Sequence, residues 1–211
     1  MMSFIKKDLL VIKANLKTFL IILVFYIIMG LTMEDGFDMT FLLPFISVML
    51  FISTFSYDEF NNWNAYSVTL PDGRRNAVRG KYLASFLILL ITSIIALISS
   101  MGIGVYKETF RLEETLISLF SAITAMVFVL SIMYPIIFKI GIEKGRILVM
   151  GIIFGWTFLI ATLGKLIGPS FLADVGTFID NWYYIVLPFF ICITIGISYL
   201  ISIHIYLKKE F

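Results

Sequence analysis

Gly73-Arg74-Arg75-Asn76-Ala77-Val78-Arg79-Gly80-Lys81-Tyr82 is the stretch of this chain that comes nearest to a phosphate-binding loop. Such a loop needs four residues between its glycines, then Lys and a Ser or Thr, so that backbone amides and the hydroxyl can wrap a phosphate and its magnesium. Here six residues separate the glycines and Tyr82 follows the Lys. No strand pattern precedes it. The chain is therefore not expected to bind ATP through this loop. The single histidine, His204, and the single cysteine, Cys192, cannot build an ordinary zinc site, which takes four ligands. Cys192 has no partner for an intrachain disulfide. No G-x-S-x-G occurs to carry a nucleophilic serine. No catalytic residue and no metal site is expected.

What must position any chemistry is a set of long apolar blocks. From Tyr82 to Tyr106 there is no Asp, Glu, Lys or Arg, and the same holds for Thr18–Met33, Met39–Tyr57, Thr115–Phe138, Ile147–Gly164 and Asn181–Leu207. A bilayer core about 30 Å thick is crossed by about 20 helical residues. Lipid offers backbone groups no partner, so these blocks must be helices; barrel strands would alternate over about ten residues. The expected fold is all-α, a polytopic membrane protein with six transmembrane helices and one domain over residues 1–211. With 60% hydrophobic residues in 211, little chain remains for a soluble domain. No small-residue cleavage site follows the first block, so no removable leader is expected. No Asp, Glu, Lys, Arg or His lies in the middle of a block, which argues against proton-driven transport and against an intramembrane enzyme.

Charge sets the orientation. On an even-span map with both termini on one side, only Lys107, Arg111 and Lys165 of the 16 Lys and Arg fall on the far side. Basic residues stay cytoplasmic during insertion, so both termini are expected there. Ahead of the first block, Ile5, Leu9, Ile12, Leu16 and Phe19 recur at helical spacing with Lys6, Lys13 and Lys17 off the stripe. Residues 1–17 read as an amphipathic helix at the cytoplasmic interface; a longer first span with snorkelling lysines is the alternative. A third outer connection is expected from Lys165 to Asp180, around Gly168-Pro169-Ser170. Gly151 and Gly155 form a G-x-x-x-G pair in the fifth block that lets backbones approach, either within the chain or between two copies.

The longest polar stretch is Asp58 to Lys81. Phe60, Trp63, Tyr66 or Ser67, and Leu70 share one side of a possible short helix. Pro71-Asp72-Gly73 then turns the chain. An aromatic cytoplasmic knob suits docking into a partner's groove; equally, aromatic and basic side chains form belts at lipid headgroups. The pattern Asp58-Glu59, Trp63, Tyr66, Leu70-Pro71, Arg74, Val78, Gly80-Lys81-Tyr82, with six blocks and an amphipathic N-terminus, resembles the permease subunits of type 2 ATP-binding-cassette exporters, in particular the small bacterial half-transporters. The resemblance implies that residues 58–81 carry a coupling helix resting on a separate ATPase subunit. Glu59, Phe60, Trp63, Tyr66, Arg74 and Arg75 are then the candidate partner-binding residues. It further implies a homodimer in a bacterial cell membrane, an amphipathic or apolar cargo (peptide, lipid or drug), and ATP and magnesium on the partner alone. Other readings remain: a vitamin-uptake binding subunit would cluster polar groups towards the outer side, and a structural or regulatory membrane protein needs none of these features.

Overall fold

The computed structural model describes residues 2–32, 40, 42–108, 111–167 and 169–209; the side chains of 156–157, 159–161 and 163–187 fall outside that description. The described residues form eight helices and no strand: α1 (Met2–Ala14), α2 (Leu16–Thr32), α3 (Leu42–Phe60), α4 (Trp63–Val68), α5 (Gly73–Tyr106), α6 (Leu112–Ile140), α7 (Ile142–Ile167) and α8 (Pro169–Lys208). Among the described residues, every charge-free block falls on a helix apart from Thr40, because backbone groups without water must bond within their own segment.

Among the described residues, α3, α5, α6 and the Pro188–Lys208 part of α8 are each long and apolar enough to cross a membrane. A fifth crossing results if α1 and α2, bent by 58° at their junction, count as one broken span. The expected third outer connection is largely helical instead: α7 continues to Ile167 and α8 starts at Pro169. Proline is suited to a first helical position, where its missing N–H has no intrahelical partner anyway. Gly168 and the Trp182 side chain, the latter expected in an outer aromatic belt, lie outside the described residues.

Packing is uneven along the membrane normal. At the end that carries both termini, Phe51, Phe55, Tyr134, Phe138 and Tyr206 interlock as edge-to-face, tilted and stacked rings and join α3, α6 and α8. A smaller cluster around Phe19, Tyr26, Leu43, Ile46, Ala96 and Leu119 joins α2, α3, α5 and α6 further along. Large apolar side chains on α2, α5, α7 and α8 face outward, among them Phe25, Phe86, Phe154 and Leu200. Facing lipid, they incur no exposure penalty.

Candidate functional site: the helix junction at the basic end

Residues 58–81, expected as one loop, are three pieces. Asp58–Phe60 is the last turn of α3, α4 stands alone, and Gly73–Lys81 is the first quarter of α5. Asn62 breaks α3 by taking a left-handed conformation, φ 51°, and Asp72 does the same before α5, φ 52°. Asn and Asp enter that region more readily than other side chains because they are short and bond locally. Gly73 is required in this turn: a Cβ there would stand 1.7 Å from the carbonyl oxygen of Ser67.

The break at Asn62 also undoes the expected aromatic face. Phe60 stays on α3 and is 86% exposed, and Tyr66 is exposed as well. Trp63, Ser67 and Leu70 turn inward. The Trp63 ring meets Phe4 of α1 edge-on, with centroids 5.9 Å apart, and Tyr66 at 5.3 Å. The Lys7 ammonium sits 4.8 Å from its centroid. Tyr206 of α8, itself buried, donates to Asn64 Oδ1 at 3.1 Å and lies 3.3 Å from the Ser67 hydroxyl. So α4 is clamped between α1 and α8.

Beneath it lies a group of four charges that the sequence did not reveal as a unit. Lys81 Nζ is 2.8 Å from Asp58 and 3.0 Å from Asp8, and donates to Thr54 Oγ1 at 3.0 Å. Lys7 pairs with Asp58 and, at 3.1 Å, with Asp8. Asp8, Asp58 and Lys81 are each at most 5% exposed. Two cations balance two anions, so no net charge is buried. Asp58 and Lys81 could have been suspected, since each borders a charge-free block; Asp8 and Lys7 gave no such signal. Gly80 allows the approach: a Cβ there would stand 2.9 Å from Phe4 Cβ, so α1 lies directly on α5.

The remaining candidates bond to helix ends. Glu59 accepts a hydrogen bond from the Ile142 N–H at 2.8 Å, the first amide of α7, where a carboxylate suits the positive end of the helix. Arg74 donates to the Leu207 carbonyl at the end of α8, and Lys209 to the Phe138 carbonyl near the end of α6, at 2.8 Å. Both cations meet the negative ends of helix dipoles. Burial pushes the Lys209 ammonium below its usual range, opposed by Glu59. Between these contacts a cleft of about 430 Å³ opens between α4, the α6–α7 turn and the end of α8. Arg75, like Tyr66 and Phe60, is exposed.

The six candidates therefore divide. Phe60, Tyr66 and Arg75 are exposed; Glu59, exposed too, and the half-buried Trp63 and Arg74 also bond or pack within the junction. Gly151 and Gly155 are exposed on α7, and a Cβ on either would meet nothing within 4 Å. Among the described residues no helix of the chain packs against that pair. No group of three metal-ligating side chains occurs among them either.

Apolar helices long enough to cross a membrane, with a short helix packed against them at the basic end, define the class: a multi-pass membrane protein. A family model described as ABC-2 family transporter protein matches residues 3–207, and the chain belongs to that family. No curated protein and no solved structure matches the chain.

Proposed function

We propose that the chain is the permease subunit of an ATP-driven exporter, working as a homodimer with a separate nucleotide-binding subunit that carries ATP and magnesium. The chain itself hydrolyses nothing. The observation that carries this reading is the clamped α4. A helix that passes force between a soluble engine and membrane spans must be held on several sides while presenting side chains outward. Here α1, α3, α5 and α8 hold it, its own Tyr66 faces out, and Phe60 at the end of α3 and Arg75 at the start of α5 are exposed as well. Tyr and Arg are among the residue types that interface hot spots favour.

Six spans follow when α7, whose block Ile147–Gly164 is free of charge, and the α1–α2 pair join the four. The bend between α1 and α2 supports an α1 lying at the cytoplasmic interface, and the basic asymmetry supports cytoplasmic termini. Abundant Phe, Met and Ile fit an adaptable pathway for an amphipathic or apolar cargo such as a peptide, lipid or drug. The unpartnered Gly151 and Gly155 are the proposed contact between the two copies, in a bacterial cell membrane.

The test is co-purification with a Walker-type ATPase, sought first in the reading frame next to this one. Phe60→Ala with Tyr66→Ala should leave the permease folded, since neither ring is buried, and cut ATPase association by about 2 kcal/mol, near 30-fold. Unchanged association and unchanged transport would make this surface a lipid-contacting belt.

A further inference from the structure

A pocket of about 210 Å³ lies between α5, α6 and α8, away from α4. Its walls are Leu83, Phe86, Leu89, Val127, Leu130 and Ile195, and its lining is almost wholly apolar. Leu83 and Phe86 are exposed at its rim, so it opens sideways towards lipid. Its floor is built by hydroxyl-bearing residues. Tyr82 Oη bonds to Ser198 and Ser202, at 2.6 and 2.8 Å, and Ser198 donates to the Ser131 carbonyl at 2.6 Å. These bonds fix α5, α6 and α8 around the opening. Tyr134, also in the lining and 1% exposed, sets its hydroxyl near that of Ser85.

One turn nearer the basic end, Arg79 lies on the same face of α5 as Leu83 and Phe86, and like them it is exposed. Its Nε donates to Tyr199 Oη at 3.0 Å. No carboxylate is within ion-pair distance of it among the described residues. A neutral partner orients the guanidinium without cancelling its charge. The floor residues Tyr82 and Ser85 then lie about 5–9 Å deeper along the helix, at 1.5 Å per residue.

We propose that this is a binding site for an anionic phospholipid of the leaflet on the basic side. Arg79 takes the phosphate, the guanidinium being suited to paired N–H contacts with phosphate oxygens. The ester carbonyl, one turn deeper in a phospholipid, comes at the depth of the hydroxyl-bearing floor. One acyl chain fills the apolar pocket. Charge and apolar volume stand in the order in which the lipid carries its own phosphate, ester and chain.

The full chain, in uncharged detergent, is titrated with phosphatidylglycerol and with phosphatidylcholine of the same chains, and bound lipid is counted by native mass spectrometry. A diazirine on the acyl chain of each maps where the chain lies. Phosphatidylglycerol should be retained in preference and should label Tyr82–Leu89 and Val127–Tyr134. Arg79→Gln should lower its binding about fivefold, to the level of phosphatidylcholine, the worth of one basic residue at an anionic surface, while Arg79→Lys keeps most of it. Ser131→Leu, which fills the pocket, should remove the label. Equal binding of the two lipids by the unaltered chain, or an Arg79→Gln variant that binds as before, overturns the site. So does label that persists in Ser131→Leu, which would mean headgroups gathering on a basic belt. If Ser131→Leu aggregates, label on the unaltered chain outside the two named segments is enough to overturn it.

Discussion

Lys81 and Asp58 meet 2.8 Å apart with both side chains almost wholly buried, and each also reaches a residue of α1. The pair therefore fastens the N-terminal helix to the start of α5 and the end of α3 at one point. Desolvating four charges is costly, and well-packed apolar residues would often be as stable. What the charges add is a constraint: this seating of α1 satisfies all four at once.

Removing one partner should be far worse than removing a matched pair. Lys81→Met leaves Asp8 and Asp58 with Lys7 alone and should cost about 3–5 kcal/mol. Lys81→Met with Asp8→Leu retains the Lys7–Asp58 pair and should recover much of that loss. Thermal unfolding in detergent reads both. A single variant as stable as the unaltered chain would mean that water reaches the cluster.

Gly80→Ala should force α1 away from α5, because the new methyl would lie 2.9 Å from Phe4 Cβ. Overpacking of this kind costs about 1–3 kcal/mol. Combining it with Phe4→Gly should cost less than the sum of the two, since the clashing Cβ is then gone. Strict additivity in a double-mutant cycle would show that the two helices do not touch there.

Glu59→Ala should act on α7 and not on the ATPase. It uncovers the Ile142 amide, a loss of about 0.5–2 kcal/mol by analogy with helix caps. Hydrogen exchange should quicken at the start of α7 while ATPase association holds. Weaker ATPase binding at unchanged exchange would return Glu59 to the docking surface.

Trp63→Ala should lower stability and ATPase association together, in contrast to the exposed Phe60. Its ring supports Phe4, Tyr66 and Lys7, so its loss loosens α4 from within. Thermal unfolding and co-purification measured on one preparation separate the two variants. A Trp63→Ala chain with full stability and lost association would make Trp63 the anchor itself.

Gly155→Leu should fit a single chain without strain, because a Cβ there meets nothing within 4 Å. If two copies meet along this face, the variant should remain folded and shift from dimer to monomer in native mass spectrometry, by about 1–2 kcal/mol. A folded variant with an unchanged dimer would remove the pair from the contact.

The helices were legible because their signal is local. A charge-free run of about 20 residues has one low-energy form in lipid, and Pro71-Asp72-Gly73 ends a helix by its own chemistry. The segregation of Lys and Arg was equally plain. The outward and inward faces were not. In water an apolar stripe marks the core, but lipid is as apolar as leucine, so a residue such as Phe86 facing a tail and one such as Phe51 facing a ring carry the same signal. The same ambiguity left Gly151 and Gly155 open between partners within and outside the chain. Nor could the sequence pair Lys7 with Asp58, or Asp8 with Lys81, across 51 and 73 residues. Those contacts exist only once α1, α3 and α5 converge. Composition alone placed this chain in a membrane; the tertiary structure decided which charges it buries, and which of its aromatic side chains it leaves exposed.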